Sequence, residues 1–98
     1  MPFAILALDK PDSTKLRADL RPTHLAYLEQ HAPQLLAGGA ILGEDGATPI
    51  GSLLIYDTEE RAVAEDFAAN DPFRLNGLFQ SVSIYPWRKV FFDGKRLM

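Results

Sequence analysis

The segment Phe3-Ala4-Ile5-Leu6-Ala7-Leu8 is a short apolar run that ends at the charged pair Asp9-Lys10. A continuous apolar run of this length, bounded by charged and turn-forming residues, is typical of a strand that is buried on both faces of a sheet. We therefore predict a central β-strand at residues 3–8, and we interpret the remaining elements by their relation to it.

The next segment is predicted to be a helix that begins at Ser13, because a serine oxygen can accept a free first-turn N–H. One side of this helix carries apolar and imidazole side chains at spacings of three and four residues, as expected for a face that packs on a sheet. These residues are Leu16, Leu20, His24, Tyr27, Leu28 and His31. Pro22 interrupts the pattern, so the helix is either kinked near Leu20-Arg21 or restarts with Pro22 at its first position.

The middle of the chain is predicted to form a strand hairpin and a second helix. Gly38-Gly39 indicates a turn, and residues 40–42 and 51–57 are expected to pair with each other. The helix that follows takes Thr58 as its N-cap, has two glutamates in its first turn and ends near Asn70.

The last part of the chain begins with Asp71-Pro72, which starts a short helical turn that Gly77 ends. Residues 79–85 alternate between apolar and polar side chains, as in a half-buried strand, and Pro86 breaks this strand. Residues 87–92 are predicted to form an extra C-terminal strand.

The order of these elements predicts an α+β fold of the ferredoxin-like βαββαβ type, with two helices on one face of an antiparallel sheet. The other face then carries apolar side chains that nothing in the chain covers, and an uncovered apolar face marks an interface. We therefore predict a homodimer that packs sheet against sheet, as in a dimeric α/β barrel. The alternative is an outer face that is polar, with half of the apolar side chains turned toward the helices.

Composition narrows the classes of function. The chain has 98 residues, which we assign to one domain spanning residues 1–98, and a formal net charge of -3 without a basic run, which argues against nucleic-acid binding. The absence of cysteine excludes disulfides, thiol catalysis and thiolate metal sites. No signal peptide and no apolar run of roughly 20 residues is present, so we expect a soluble cytoplasmic protein without membrane contact.

His24 and Asp71 are the residues whose types and positions best suit catalysis. His24 follows the bend predicted at Pro22, and imidazole transfers protons readily near neutral pH. Asp71 could accept the imidazole N–H and so orient the ring, as a carboxylate does in a catalytic triad. The alternatives are a core histidine bonded to the backbone, and an aspartate that only caps the helix at Pro72.

Four further residues are candidates for substrate binding. Arg21 lies about one turn before His24 and could hold an anionic substrate. Phe73 and Trp87 could line a pocket that accepts an aromatic ring, although core or dimer packing also explains such side chains. Ser83 could point into a site from the last long strand. No spacing of histidines and carboxylates resembles a metal-ligand motif, so no metal is predicted.

Several short motifs occur in a fixed order along nearly the whole chain. They are the apolar first strand, Arg21-Pro22 with His24-Leu25 and Tyr27-Leu28, Gly38-Gly39, Gly51-Ser52, Asn70-Asp71-Pro72-Phe73, Gly77-Leu78, and Ile84 with Pro86-Trp87. This set resembles the YCII-related (YciI-like) family. The resemblance implies a ferredoxin-like fold of the dimeric α/β-barrel group and an active site centred on His24 and Asp71. It also implies a likeness to muconolactone isomerases and small cofactor-free monooxygenases, and to relatives that eliminate chloride from chlorinated hydroxylated aromatics.

Together these observations lead to the hypothesis of a small enzyme that works without a cofactor. His24 would act as general acid and base, Asp71 would orient it, and the reaction would be an elimination, dehalogenation or isomerisation of a small anionic or phenolic ring compound. Two alternatives stay open at this point. One is a non-catalytic dimer that binds a metabolite or has a regulatory role, and the other is a subunit-interaction module.

Overall fold

The structure is a computed structural model that describes residues 1–98. Its elements, in chain order, are β1 (Phe3–Asp9), α1 (Thr14–Gln30), β2 (Leu35–Leu42), β3 (Pro49–Tyr56), α2 (Arg61–Ala69), α3 (Pro72–Leu75), β4 (Phe79–Pro86), β5 (Phe91–Phe92) and β6 (Lys95–Arg96). The first seven elements follow the predicted βαββαβ order, with α3 as an extra turn of helix, so the predicted ferredoxin-like α+β fold is confirmed.

The main sheet has the strand order β2-β3-β1-β4, and all three neighbouring pairs are antiparallel. The apolar strand β1 lies in the middle, as predicted, with Ile5 paired to Leu54 on one side and to Ile84 on the other. Because directly paired residues share a face, this register decides which side chains point toward the helices.

The helix side of the sheet forms the core. Phe3, Ile5 and Ala7 of β1 are buried there, and Phe67 of α2 packs into the same cluster. The opposite side of β1 is only partly covered in the single chain, because Leu8 is 40% exposed. The expectation that β1 is buried on both faces is therefore wrong for the isolated chain, since both long helices lie on one side.

The other side of the sheet, which we call the outer face, is largely apolar. Its residues, read from the strand register, are Ala4, Leu6, Leu8, Ala37, Gly39, Ile41, Gly51, Leu53, Ile55, Ser81, Ser83 and Tyr85. Leu53 of the inner strand β3 is 44% exposed, which is unusual for a large apolar side chain, and Tyr85 near the end of the edge strand β4 is 58% exposed. The alternative of a polar outer face is therefore wrong.

Helix α1 runs without interruption from Thr14 to Gln30, so of the two alternatives given for Pro22 the restart is wrong. Pro22 stands on the solvent side, where water can satisfy the backbone carbonyl that loses its partner. Ser13 occupies the N-cap position of α1, but the predicted side-chain cap is wrong, because its oxygen accepts no hydrogen bond from the first turn and its hydroxyl donates to the carbonyl of Pro11. None of the helices combines the length and apolarity that crossing a bilayer requires.

Two other boundaries differ from the predictions. Gly38-Gly39 lies inside β2 and not in a turn, because the strand begins at Leu35. A Cβ atom on Gly38 would lie 2.8 Å from Cδ2 of Leu54. Glycine therefore lets the backbone of this edge strand pack closely against the Leu54 side chain. Helix α2 begins at Arg61 with Glu60 at its N-cap, two residues later than predicted, and the Thr58 hydroxyl accepts a hydrogen bond in the turn before it.

The segment after β4 also differs from the prediction. Strand β4 ends at Pro86, as expected, but residues 87–92 do not continue as one strand. They lead into the small separate hairpin of β5 and β6, whose turn residues Asp93 and Gly94 both have positive φ angles of 54° and 74°. This conformation is the type I′ turn that an Asp-Gly pair favours in two-residue hairpins.

We expect Gly51→Ala to lower the free energy of unfolding by about 1–3 kcal/mol, because its new Cβ would require backbone movement in the sheet. A Cβ atom at Gly51 would lie 2.4 Å from the carbonyl oxygen of Ala7, a contact that no side-chain rotation relieves. Gly39→Ala is the matched control, since its Cβ would meet nothing within 4 Å. Urea denaturation at fixed protein concentration measures both, and equal stability of the two variants would contradict the steric account.

Candidate active site

A cleft of about 210 Å³ opens between helix α1 and the β2–β3 side of the sheet. Helix α1 contributes Arg21 and His24 to its lining, strand β3 contributes Ser52, and α3 contributes Phe73. The volume is below the roughly 300–1,000 Å³ of pockets for drug-sized ligands, so the cleft suits a single substituted ring.

His24, which lines this cleft, is in direct contact with Asp71. His24 Nδ1 lies 2.8 Å from Asp71 Oδ1, and the two residues are 6% and 3% exposed. Since a carboxylate can only accept, the proton of this hydrogen bond belongs to Nδ1. His24 Nε2 makes no hydrogen bond within the chain, and no buried side-chain nitrogen lacks a partner, so Nε2 remains accessible to solvent.

The same Asp71 oxygen also caps helix α3. It accepts a hydrogen bond of 2.9 Å from the backbone N–H of Phe73, and Pro72 occupies the first helical position. The capping role and the contact with His24 therefore coexist on one oxygen atom. The Asp-Pro-Phe sequence places this carboxylate at the chain reversal where α3 meets α1.

Phe73 fixes the plane of the imidazole. Its ring stacks on that of His24 with a centroid distance of 3.9 Å and an interplanar angle of 12°. The guanidinium of Arg17 lies 4.6 Å from the centroid of the same phenyl ring. Phe73 is fully buried, so it acts first as the platform on which His24 rests.

Arg17 is a functional candidate that the sequence analysis missed. Its Nε and Nη2 atoms donate to the two carboxylate oxygens of Asp9 at 2.7 and 3.1 Å, and Nη2 also donates to the Ser52 hydroxyl at 2.8 Å. Arg17 and Ser52 both line the cleft. The available signal was spacing, because Arg17 lies seven residues before His24 and thus on the same face of α1.

The other predicted residues divide into two groups. Arg21 lines the cleft, is exposed and forms no ion pair within the chain. Ser83 pairs with Leu6 on the outer face, so it lies on the opposite side of the sheet from His24. Trp87 follows β4 and donates its backbone N–H to the carbonyl of Pro2. The chain thus brings Arg21 to His24 but leaves Ser83 and Trp87 outside the cleft.

Tyr27 reports the electrostatic surroundings of Asp71. Its hydroxyl donates to the carbonyl of Phe67 at 2.8 Å. Burial, together with the negative charge of Asp71, raises the pKa of Tyr27 to about 12.

No group of three or more histidine or carboxylate side chains is placed to hold a metal ion.

The model of the YCII-related domain matches residues 1–88. The chain belongs to the YCII-related family. Protein YciI of Escherichia coli is 35% identical to this YCII-related chain in an alignment of 98 positions that covers 93% of the chain and the whole of the relative. An uncharacterized protein of Haemophilus influenzae is 34% identical over the same shares. The family resemblance seen in the sequence is therefore confirmed.

Solved structures of similar shape support the same assignment. The 5-chloro-2-hydroxyhydroquinone dehydrochlorinase TftG of Burkholderia phenoliruptrix AC1100, in complex with 2,5-dihydroxybenzoquinone, is 36% identical with a TM-score of 0.82. That match covers 90% of this chain and 94% of TftG. An antibiotic biosynthesis monooxygenase matches over 90% of this chain and 99% of its own, with a TM-score of 0.54 and 18% identity, which shows the fold alone.

The raised pKa of Tyr27 predicts a loss of stability in alkali. The folded protein holds this phenol proton up to about pH 12, whereas a free tyrosine loses it near pH 10. The contribution of the neutral Tyr27 phenol to folding stability is therefore complete below pH 10. It disappears as the pH rises from 10 to 12. We expect the unfolding free energy of wild type to fall more steeply over this range than that of Tyr27→Phe.

An absorbance titration of the phenolates measures this pKa directly. Asp71→Asn should lower the pKa of Tyr27, because it removes a neighbouring negative charge. Tyr85→Phe is the control, since Tyr85 is exposed and lies on the outer face. The assignment is wrong if Tyr27→Phe removes a phenol that titrates near pH 10.

Proposed function

We propose that this protein is a small acid–base enzyme that eliminates HX from a hydroxylated ring compound without a cofactor, where X is a halide. The observation that carries the proposal is the geometry of His24, whose Nδ1 is held by Asp71 while its Nε2 stays open to the cleft. The 36% identity between this chain and the dehydrochlorinase TftG supports the reaction class.

The chemistry needs only proton transfers. His24 Nε2 removes a proton from one ring hydroxyl and delivers it to the neighbouring ring carbon that bears the halide, which gives a keto tautomer. Nε2 then removes the proton of a second hydroxyl, the electron pair moves through the ring, and the carbon–halogen bond breaks. The products are a quinone and HX. The ring is oxidised by the two electrons that leave with the halide, so no external oxidant is required.

Asp71 acts as the orienting residue in this scheme. The carboxylate fixes the proton on Nδ1, which keeps Nε2 free for the substrate. It also stabilises the positive charge that the imidazole acquires each time Nε2 takes up a proton. Stacking on Phe73 restricts rotation of the imidazole. Holding a base in one orientation lowers the entropic part of the barrier.

The substrate class follows from the cleft. Its volume of about 210 Å³ accommodates one ring, and the unpaired cation of Arg21 attracts an anion. TftG is named for a chlorinated trihydroxy ring. We infer a halogenated dihydroxy or trihydroxy benzene for this chain, and the same proton transfers would isomerise a non-halogenated relative. The cytoplasmic location stays a prediction.

We also infer that two copies of the chain associate through their outer faces. The apolar residues of this face, among them Leu53 and Leu8, are exposed in the single chain and lie on the side without helices. Burying them would remove a contiguous apolar surface from water. Such a dimer brings the outer-face Ser83 and the C-terminal segment with Trp87 close to a second copy.

We expect His24→Asn to lower the rate of halide release by on the order of 10²–10⁴-fold, the range for loss of a general acid–base group. Asp71→Asn should lower kcat and still bind the ring. The assay follows quinone absorbance and free chloride with a panel of chlorinated hydroquinones. His31→Asn is the matched control, because it removes the other histidine of the chain outside the cleft.

Two outcomes would reject this function. Equal turnover by wild type and His24→Asn would show that His24 is not the general base. Tight binding of the whole panel by wild type without any conversion would favour the non-catalytic binding protein instead.

The dimer is tested by Leu53→Lys, which places a charge in the middle of the outer face. Sedimentation equilibrium should show a dimer for wild type and a monomer for this variant, because an unpaired charge in an apolar interface is costly. Val63→Lys on α2 is the control, since it is exposed by 39% on the helix side. A monomeric wild type at all concentrations would exclude the dimer.

A further inference from the structure

Arg17 is a buried cation whose hydrogen-bonding capacity is only partly used. Asp9 and Ser52 accept from its Nε and Nη2 atoms, and Nη1 has no partner within the chain. Since no buried side-chain nitrogen is left without a partner, Nη1 reaches solvent. Arg17 lines the same cleft as His24, so the N–H groups of Nη1 are available to a molecule bound there.

Ser52 has a free donor in the same place. Its oxygen accepts from Arg17 Nη2 at 2.8 Å, and its own hydrogen is donated to no group of the chain. A hydroxyl can accept and donate at once, so the hydrogen can point to a ligand. Ser52 is 4% exposed and lies in the middle of β3, which makes this donor rigid.

The fork between Arg17 and Asp9 makes the guanidinium rigid as well. Its two parallel N–H bonds to one carboxylate fix both the position and the plane of the group. Arg21, by contrast, is exposed and has no such partner. Donors that are already in place before binding hold an oxyanion better than a mobile surface cation, because no ordering is needed.

Arg17 and the base His24 are brought together by contact with the same aromatic ring. Phe73 contacts the His24 imidazole at 3.9 Å and the Arg17 guanidinium at 4.6 Å, measured from its centroid. Because both groups contact one phenyl ring, a ligand of similar size can reach both. One oxygen of such a ligand then meets Arg17 and Ser52, and another meets His24.

We propose that Arg17 and Ser52 form an oxyanion-binding pair that holds one ionised ring oxygen while His24 exchanges protons with a second ring hydroxyl. This inference rests on the proposed function in taking the cleft as the substrate site. It narrows the substrate class to rings with two oxygen substituents, one of them ionised. A ring whose hydroxyls are methylated would lose the contact with the pair.

Ser52→Ala is the central variant, because it removes one donor and keeps the buried Arg17–Asp9 pair. The probe is 2,5-dihydroxybenzoquinone, and titration calorimetry measures its Kd. We expect binding to weaken by roughly 10-fold or more, as for a hydrogen bond to a charged group. Arg17→Lys should weaken it at least as much, because lysine lacks the planar fork.

The controls separate this contact from general effects on the fold. Ser81→Ala removes a serine of the outer face, and Arg74→Lys replaces an arginine outside the cleft, so both should bind the probe like wild type. The dimethyl ether of the probe carries no ionised oxygen, and wild type and Ser52→Ala should bind it equally. Urea unfolding confirms that Ser52→Ala is folded under the binding conditions.

The outcomes for this inference and for the proposed function are distinct. If folded Ser52→Ala and Arg17→Lys bind the quinone as tightly as wild type, the oxyanion pair is overturned, even where turnover depends on His24. If both variants lose binding while wild type converts no ring of the panel, the pair is supported and the acid–base function fails.

Discussion

The hydrogen bond between His24 and Asp71 is the contact on which the site and its surrounding fold depend. Asp71 follows α2, and one of its carboxylate oxygens both caps the N-terminus of α3 and accepts the hydrogen bond of the imidazole from α1. A buried carboxylate needs such partners, because an unpaired charge inside a protein is strongly unfavourable. The packing of α3 against α1 and the orientation of the imidazole therefore cannot change independently of each other.

Sequence patterns predicted the features that depend on local chemistry and periodicity. The apolar run of β1 placed the central strand, and the order of elements placed the helices on one face of the sheet. The pair of His24 and Asp71 was also predictable, because a histidine on the sheet-facing side of a helix and an Asp-Pro helix start each have a recognisable signal. Side chains alternate between the two faces along β4, and Val82 packs on the core. The neighbouring Ser83 could therefore have been predicted to face away from the core.

Features that depend on contacts between distant segments were missed. A helix pattern assigns an arginine to solvent, and Arg17 is buried only because Asp9 meets it from β1. Gly38 has the local preference of a turn, yet the close approach of Leu54 explains why glycine stands inside a strand. In both cases a partner from another element reverses the local preference, and a single sequence does not reveal that partner.

Strand β3 carries both surfaces of the protein on alternating residues. Ser52 points into the cleft and Leu53 points to the outer face. Because side chains alternate with a period of two, inserting or deleting one residue in β3 would exchange these two sets. The proposed ligand contacts and the proposed self-association would be lost together in one event. A substitution at one position of β3 therefore changes one of the two surfaces, whereas a change in the length of the strand changes both at once.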